Sequence, residues 1–521
     1  MQGSSKAGTR AADPLEIACP EAHRKGLREA GTVFGVLLLF SILLALVTRA
    51  HEIYLDEAQA WLIARHSHNL AELFHNLHYE GHPAVWYLLI YPVAHLSNEI
   101  SWIRAINYAL SVVTAGLILF DRRNPMTVKV LLVFSVFVFF YMGVIARSYM
   151  LAGMLLIASA RCLLADRPRH WTAMLLLGVA INTHFLAIPL ATGIFVWLYW
   201  IAPTPTTRED ANKIRQRRFW ISILMLGIAL VLCYLTVRPA ADLDLPQYHK
   251  PKVSLLGYLL MNIGSMWRNF VILPTALYSP ETKQLLAAQD HPSLIAVTLS
   301  VLLWIIAIFG LPTRRGKYFF ITVSLLWTAA TWLTVHIAGP FHVSMLFVGY
   351  IIALMMKPAD GQHSQGNAPK ASRNMLYIGL GMQVLICFIW CIQEACYPYS
   401  GGEPTAIWLK GRGFDRRPLV IQPDLAGPAI LASAGIESAY YPACHCQGSF
   451  LVYRKSRDVL RRVSREELQE IERESGSAPI VISQWKLDAE EMRRLGLRLE
   501  FKAPDGWFWV GENVFVYQST G

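Results

Sequence analysis

The chain of 521 residues is 54% hydrophobic and only 16% charged, and it carries a net charge of +11. Its mean hydropathy of +0.36 argues against a string of soluble domains. Apolar runs of roughly 20 residues between short basic loops indicate instead a polytopic membrane protein. No nucleic-acid-binding motif accompanies the basic charge, so we interpret it as a topology signal and expect no nucleic-acid partner.

The basic residues determine how the chain is predicted to cross the membrane. Residues 1–31 are polar and basic, which predicts a disordered cytoplasmic N-terminus before an uncleaved first span. Lys and Arg stay on the cytoplasmic side, so placing the basic clusters inside requires an odd number of crossings. The predicted count is eleven, with spans at 32–49, 102–120, 129–146, 149–164, 169–183, 185–202, 219–237, 293–310, 317–336, 341–356 and 374–392.

Three apolar runs need a separate decision. The run 171–202 is counted as two spans, because a single span would place the basic loop 208–218 outside. The run 253–277 contains Arg268, so we place it along the outer interface within a large external loop. Residues 83–96 are too few to cross comfortably and predict a juxtamembrane or re-entrant helix.

The stretch 51–83 combines an adjacent Asp56-Glu57 pair with Arg65 and six of the sixteen histidines. Charges in bare hydrocarbon cost several kcal/mol each, so this stretch lies in the wet interface or lines a cavity. We interpret residues 50–101 as the active-site loop of a transmembrane catalytic domain that spans 32–393.

From residue 394 to 521 the composition changes to that of a small α/β domain. Short apolar runs at 418–422, 449–453, 480–483 and 514–517 predict strands, and 456–475 and 487–495 have helical spacing. We place this domain outside the membrane, where it would dock or shape the acceptor site. Cys444-His445-Cys446 is a poor tetrahedral metal site, and a disulfide to Cys396 is the more ordinary use.

Several motifs together resemble a known enzyme class. They are Asp56-Glu57 after the first span, Gly81-His82-Pro83 before an aromatic-rich helix, Arg104 at the start of the next span, Ala146-Arg147-Ser-Tyr149, Asn182-Thr-His184-Phe185 and Gly339-Pro-Phe-His342. This set resembles the GT-C glycosyltransferases, in particular the protein mannosyltransferase and aminoarabinose-transferase branch. The resemblance is best over residues 30–190 and weak in the tail. It implies transfer of a hexose or pentose from a polyprenyl-phosphate carrier to a lipid, glycan or protein acceptor at the outer face of the plasma membrane.

This chemistry assigns expected roles to the residues. An acceptor hydroxyl needs a general base, and Asp56 fits. A leaving lipid phosphate needs cationic or N–H donors, and Arg147, Arg104 and His82 fit. We expect Asp56 and Arg147 to face each other across a cavity that is open to the outside and to the lipid. Glu57 is either a helix-start residue or an acceptor contact.

Each of these assignments has a structural alternative. Asp56-Glu57 also fits the first turn of an amphipathic helix, where acids are favoured. Arg147 and Arg104 also fit interfacial anchors of their helices. His184 and His342 lie at predicted outer helix ends, where they line the cavity or bond a helix carbonyl.

The remaining histidines of the loop suggest a metal only weakly. His66, His68, His75 and His78 form no closed ligand set, so we interpret them as solvated interfacial side chains. Some relatives use a divalent cation, and such a cation stays possible without a clear set of ligands.

The predicted fold is therefore mainly α, a polytopic GT-C-like membrane protein of about eleven transmembrane helices with a small extracytoplasmic α/β C-terminal domain. Inversion is favoured for the transfer, since one base and one displacement suffice. The alternative function is a transporter or flippase of a lipid-linked substrate, but we find no internal repeat of the kind that many transporters carry. A receptor-like scaffold would leave Asp56 without a role.

Overall fold

The computed structural model describes residues 14–200, 210–244, 294–334, 339–356, 369–504 and 513–519, together with Ser254 and Gly257. Within these residues, fourteen α-helices precede the tail. They are α1 (Pro14–Ala50), α2 (Leu55–His66), α3 (Leu70–Leu77), α4 (Val85–Leu96), α5 (Ser101–Leu119), α6 (Met126–Val133), α7 (Ser148–Leu164), α8 (His170–Ile181), α9 (Ala187–Ile194), α10 (Asp210–Val237), α11 (Leu294–Gly310), α12 (Arg314–Thr334), α13 (Pro340–Met355) and α14 (Lys370–Cys396). Two π-helical segments, Val136–Val144 and Phe195–Trp200, continue α6 and α9.

A helix lies at each of the eleven positions where a span is predicted. Among the described residues, five helical segments are long and apolar enough to cross a membrane: Leu27–Ala50, Ser101–Leu119, Met126–Val144, Gln216–Val237 and Lys370–Cys396. The number of crossings therefore stays a prediction. The interfacial run predicted at 253–277 lies outside the described residues, apart from Ser254 and Gly257.

The run 171–202 is divided into two helices, α8 and α9, as predicted. The side-chain amide of Asn182 donates back to Gly178 O at 2.9 Å, at the end of α8. Pro189 lies in the first turn of α9, where a missing backbone N–H breaks no helical hydrogen bond. The break therefore has a local cause in the sequence, and it leaves His184 in the turn between the two helices.

Burial separates a central helix from helices at the periphery. Every side chain of α13 from Val343 to Met355 is buried, which is typical of a helix that is apolar all round. By contrast, Leu38 on α1 and Leu224 on α10 are each 62% exposed. Exposed aliphatic surface of this extent fits contact with lipid rather than with water.

The tail contains a six-stranded sheet in the order β3-β2-β1-β4-β6-β5. Its strands are β1 (Leu419–Gln422), β2 (Ala439–Tyr441), β3 (Cys446–Gly448), β4 (Ile480–Ser483), β5 (Leu497–Lys502) and β6 (Phe515–Ser519). β1 runs parallel to β2 and β4, whereas β3, β6 and β5 join antiparallel to their neighbours. β1 and β4 are buried throughout, as expected for central strands.

Four helices complete the tail: α15 (Gly402–Arg412), α16 (Gly427–Ala434), α17 (Arg465–Ser475) and α18 (Ala489–Leu495). Ser464 and Asp488 cap α17 and α18, so these two helices begin later than their charge pattern alone suggests.

Two predictions about the tail are wrong. The run 449–453 is not a strand, because the backbone N–H and C=O of Leu451 form hydrogen bonds with the side chain of Gln59 in α2. The expected disulfide from Cys396 to the cysteine pair is also absent: Cys444 bonds Cys446, and Cys396 forms no disulfide within the described part of the chain.

The contact between Gln59 and Leu451 joins the tail to the active-site loop. Gln59 Nε2 donates to Leu451 O at 2.9 Å, and Leu451 N donates to Gln59 Oε1 at 2.9 Å. Both residues are buried, so water does not replace these bonds if one partner is removed.

We predict that Gln59→Leu lowers the free energy of unfolding by about 1–3 kcal/mol, because it strands two buried backbone groups. Thermal unfolding in detergent measures the loss as a lower Tm. The matched control is Gln447→Leu on the exposed strand β3, which is expected to leave Tm nearly unchanged. Equal Tm values for the two variants would contradict a stabilising contact between Gln59 and Leu451.

Candidate active site

Asp56 is a partly exposed carboxylate of the active-site loop. It lies in the first turn of α2, where acidic side chains are favoured, and its side chain is 41% exposed. Tyr54 Oη donates to Asp56 Oδ2 at 3.0 Å. Arg147 Nη1 lies 2.9 Å from the same oxygen. Asp56 Oδ2 is thus held by a phenol and a guanidinium, while part of the carboxyl group stays accessible.

Arg147 lies between the π-helical segment Val136–Val144 and α7, which it precedes as the N-cap residue. Its side chain is only 15% exposed. The guanidinium carbon is 5.3 Å from the centre of the Tyr149 ring and 5.4 Å from that of Phe341, at cation–π distances. Arg147 and Asp56 therefore form a direct ion pair, which corrects the expectation that they face each other across a cavity.

Two histidines lie beside Tyr149, and a third packs against one of them. The ring of His184 is 4.3 Å from that of Tyr149 and 5.9 Å from that of His82, and His342 is 6.4 Å from Tyr149. The backbone N–H groups of Leu186 and Gly339 donate to the Nδ1 atoms of His184 and His342. In the neutral rings, Nε2 then carries the proton. The structure thus gathers His82, His184 and His342 beside Arg147, from three distant parts of the chain.

These histidines are neutral donors and acceptors rather than cations. Burial, together with the nearby Arg147 charge, lowers the pKa of His82 to about 4. His184 is fully buried, and its Nε2 has no hydrogen-bond partner among the described residues. A buried N–H without a partner costs free energy, so this atom is suited to bind a ligand oxygen.

Glu57 is buried and accepts hydrogen bonds from protein N–H groups. Its side chain is fully buried, and its oxygens accept from Ala146 N at 2.7 Å, Tyr54 N at 3.3 Å and His51 Nε2 at 2.9 Å. The bond from Tyr54 N belongs to the start of α2, as in the helix-start interpretation. No part of this carboxylate is exposed, which favours the helix-start role over an acceptor contact.

Arg104 forms its ion pair with a carboxylate of the tail rather than with Asp56. Its Nη2 is 2.6 Å from Glu403 Oε2, and Glu403 Oε2 also accepts from Ile53 N at 3.2 Å. Arg104 therefore joins α5 to the tail helix α15, and its role as a phosphate ligand stays a prediction.

The remaining histidines of the loop show no metal geometry. His68 and His75 are exposed, and His78 Nε2 lies 3.2 Å from Leu235 O. Among the residues that the structure describes, no three His, Cys, Asp or Glu side chains are close enough to hold a metal ion. Use of a divalent cation stays a prediction from the family resemblance.

Glu80 lies at the site and directly precedes the Gly81-His82-Pro83 motif, but it belongs to none of the sequence motifs. Glu80 Oε2 accepts from Gln59 Nε2 at 3.1 Å, and its Oε1 is 3.8 Å from His82 Nδ1. Burial raises the pKa of Glu80 to about 7, and the Asp56 charge contributes in the same direction. Glu80 is therefore a second carboxyl group of the site, with a protonation state that changes near neutral pH.

Comparison with known proteins gives two similar solved structures. One is the arabinofuranosyltransferase AftD from Mycobacteria, with a TM-score of 0.42 and 15% identity over 93% of this chain and 41% of that chain. The other is the oligosaccharyltransferase of Archaeoglobus fulgidus, with a TM-score of 0.40 and 10% identity over 87% of this chain and 69% of that chain. This chain thus spans less than half of the mycobacterial chain. No family model and no curated protein sequence matches it.

We predict that Glu80→Gln changes how stability depends on pH. In the parent, the folded pKa of about 7 exceeds the ordinary value of 4.5, so stability is lost as pH rises between these values. The amide does not ionise, so the variant lacks this loss. The Tm of the variant minus that of the parent should therefore increase from pH 4.5 to 7 and then stay level. A difference that is constant across this range would contradict a buried, titrating Glu80.

Proposed function

We propose that this chain is a membrane glycosyltransferase that moves a sugar from a polyprenyl-phosphate donor to an acceptor hydroxyl at the outer face of the plasma membrane. The observation that carries the proposal is the contact between Asp56, which is 41% exposed, and Arg147, which is 15% exposed. A base and an anion-binding group at one site are the two groups that this transfer requires.

The transfer can be written as a single displacement. The acceptor oxygen forms a bond to the anomeric carbon of the sugar, and its proton passes to Asp56. The bond between that carbon and the phosphate oxygen breaks, and the electron pair remains on the leaving polyprenyl phosphate. The configuration at the anomeric carbon is inverted. Asp56 acts as general base, and Arg147 stabilises the charge that develops on the phosphate.

The ion pair of Asp56 and Arg147 suggests an order of binding. A donor phosphate competes with Asp56 for the N–H groups of Arg147, because both ligands are anionic oxygens. When the phosphate takes Arg147, Asp56 Oδ2 keeps the bond from Tyr54 Oη and is free to approach an acceptor hydroxyl. In this proposal the donor binds before the acceptor.

The neutral histidines provide the remaining polar contacts of the donor. His82, His184 and His342 lie around Tyr149, next to the Arg147 guanidinium. The buried Nε2 of His184 is a donor without a partner among the described residues, and sugar hydroxyls or phosphate oxygens can accept from it. We assign these rings to binding the donor head group rather than to carrying charge.

The topology of the proposal follows the basic loops. The N-terminus lies in the cytoplasm, about eleven helices cross the membrane, and the tail from residue 394 lies outside it. Gln59 links the tail directly to α2, so the tail reaches the helix that carries Asp56. This contact supports a tail that shapes the side from which the acceptor approaches.

We predict that Asp56→Asn lowers kcat by about 10²- to 10⁴-fold, because the amide does not take the acceptor proton. The assay uses purified protein, radiolabelled polyprenyl-phosphate pentoses and hexoses as donors, and a cell-envelope extract as acceptor. The matched control is Asp242→Asn. Asp242 also accepts from a tyrosine hydroxyl, at 2.7 Å, and also pairs with an arginine, at 3.6 Å, but it lies outside the Asp56 pair.

Sugar transfer by Asp56→Asn at the parent rate would contradict the role of Asp56 as general base. Movement of intact donor across a vesicle membrane without release of polyprenyl phosphate would favour the flippase instead.

We predict that Arg147→Ala weakens the binding of undecaprenyl phosphate by about 1.5–3 kcal/mol, or ~10- to 100-fold in Kd. Arg147→Lys should be intermediate, since lysine keeps the charge but loses the planar pair of donors. Binding is measured with labelled undecaprenyl phosphate on protein in nanodiscs. Arg104→Lys is the control and should bind as the parent does. An equal loss in the Arg104 and Arg147 variants would remove the assignment to Arg147.

A further inference from the structure

Three buried ionisable side chains meet behind Asp56. His51, Glu57 and Glu394 are at most 2% exposed, and they come from the loop after α1, from α2 and from the last turn of α14. His51 Nε2 is 2.9 Å from Glu57 Oε2, and His51 Nδ1 is 2.7 Å from Glu394 Oε1. Each of the two ring nitrogens of His51 is thus in contact with a carboxylate oxygen.

This geometry specifies the protonation state of the ring. An ionised carboxylate only accepts hydrogen bonds, so beside two ionised glutamates both ring nitrogens donate, as they do in the imidazolium. Burial alone lowers the pKa of His51, but the charges of Glu57 and Glu394 outweigh it and raise the pKa to about 10. Other groups facing the ring are Tyr399, whose ring lies 4.7 Å away, and Glu52 of the same loop.

The cluster is connected to both members of the Asp56–Arg147 pair. Glu57 follows Asp56 in the chain, and its Oε1 accepts from the backbone N–H of Ala146, the residue before Arg147, at 2.7 Å. Its Oε2 accepts from the backbone N–H of Tyr54 at 3.3 Å, and the Tyr54 hydroxyl in turn donates to Asp56. One carboxylate therefore holds the two backbone segments that carry the base and the guanidinium.

We propose that Glu57, His51 and Glu394 are positioning residues, in which the buried imidazolium orients Glu57 and Glu57 sets the spacing between Asp56 and Arg147. This inference rests on the proposed transferase function for its effect on rate. It does not rest on that function for the charge state of the cluster. A cluster that only stabilised the fold would change Tm without changing turnover per folded molecule, since buried ion pairs contribute variably to stability.

The first experiment separates positioning from stability with two substitutions of Glu57. Glu57→Gln keeps an oxygen that accepts from Ala146 N, whereas Glu57→Leu has a similar size and no acceptor. We expect Glu57→Gln to keep kcat within about 10-fold of the parent and Glu57→Leu to lose about 10²-fold or more, as expected for a misplaced catalytic pair. Turnover is counted per folded molecule, as determined from the melting transition. Equal kcat in the two variants would overturn the positioning role.

The second experiment needs no substrate and tests the imidazolium. The folded pKa of His51 is raised, so its stabilisation is complete below the unfolded pKa of 6.5 and declines as pH rises to about 10. Glu394→Gln removes one of the two charges and lowers that folded pKa. The Tm of Glu394→Gln is expected to be lower than that of the parent, and this difference, the Tm deficit, should shrink between about pH 8 and pH 10. In this range Glu52, with a pKa of about 7, is ionised in both proteins and does not contribute to the change.

The matched control is Glu403→Gln, which breaks the ion pair with Arg104 and touches no histidine. Its Tm deficit should stay constant over the same pH range. If the deficit of Glu394→Gln also stays constant, His51 is not an imidazolium and the proposal fails. If the parent transfers no sugar while the deficit shrinks as expected, the transferase function fails and the charge state of the cluster stands.

Discussion

The hydrogen bond from Ala146 N to the Glu57 carboxylate is the contact on which the site depends. It joins the start of α2, which carries Asp56, to the segment that precedes α7 and contains Arg147. These segments are about 90 residues apart in the chain, so the spacing of the base and the guanidinium has no local cause. A buried carboxylate can hold this position because three backbone and imidazole N–H groups satisfy it.

The site has two electrostatic layers with different properties. The inner layer of His51, Glu57 and Glu394 is sealed from water, and its charges are strongly coupled. The outer layer of Asp56 and Arg147 is partly exposed, so its ion pair can exchange for a ligand at a smaller cost. This division places rigidity behind the reacting groups and leaves the reacting groups themselves available. The neutral histidines around Tyr149 lie beside the outer layer and add donors without adding charge.

Local patterns in the sequence are sufficient for the helices but not for their partners. The apolar runs predict a helix at every expected span, and the structure has one there. The motif resemblance also assigns Asp56 and Arg147 to one site, and the two side chains are in contact. The ion pair of Arg104 has no local signal in the sequence, because its partner, Glu403, lies about 300 residues away in the tail. The run 449–453 has the composition of a strand, but Gln59 takes the backbone bonds of Leu451 that a neighbouring strand would use. Glu80 carries no sequence signal beyond its place before Gly81-His82-Pro83, because its altered pKa arises from burial by the fold.

The most direct test of the account is a structure of the protein in a lipid nanodisc with polyprenyl phosphate bound. The account predicts phosphate oxygens within about 3 Å of the Arg147 guanidinium, and Asp56 released from that guanidinium but still bonded to Tyr54. A phosphate bound beside Arg104, or at the basic loops on the opposite side of the helices with the Asp56–Arg147 pair intact, would contradict it.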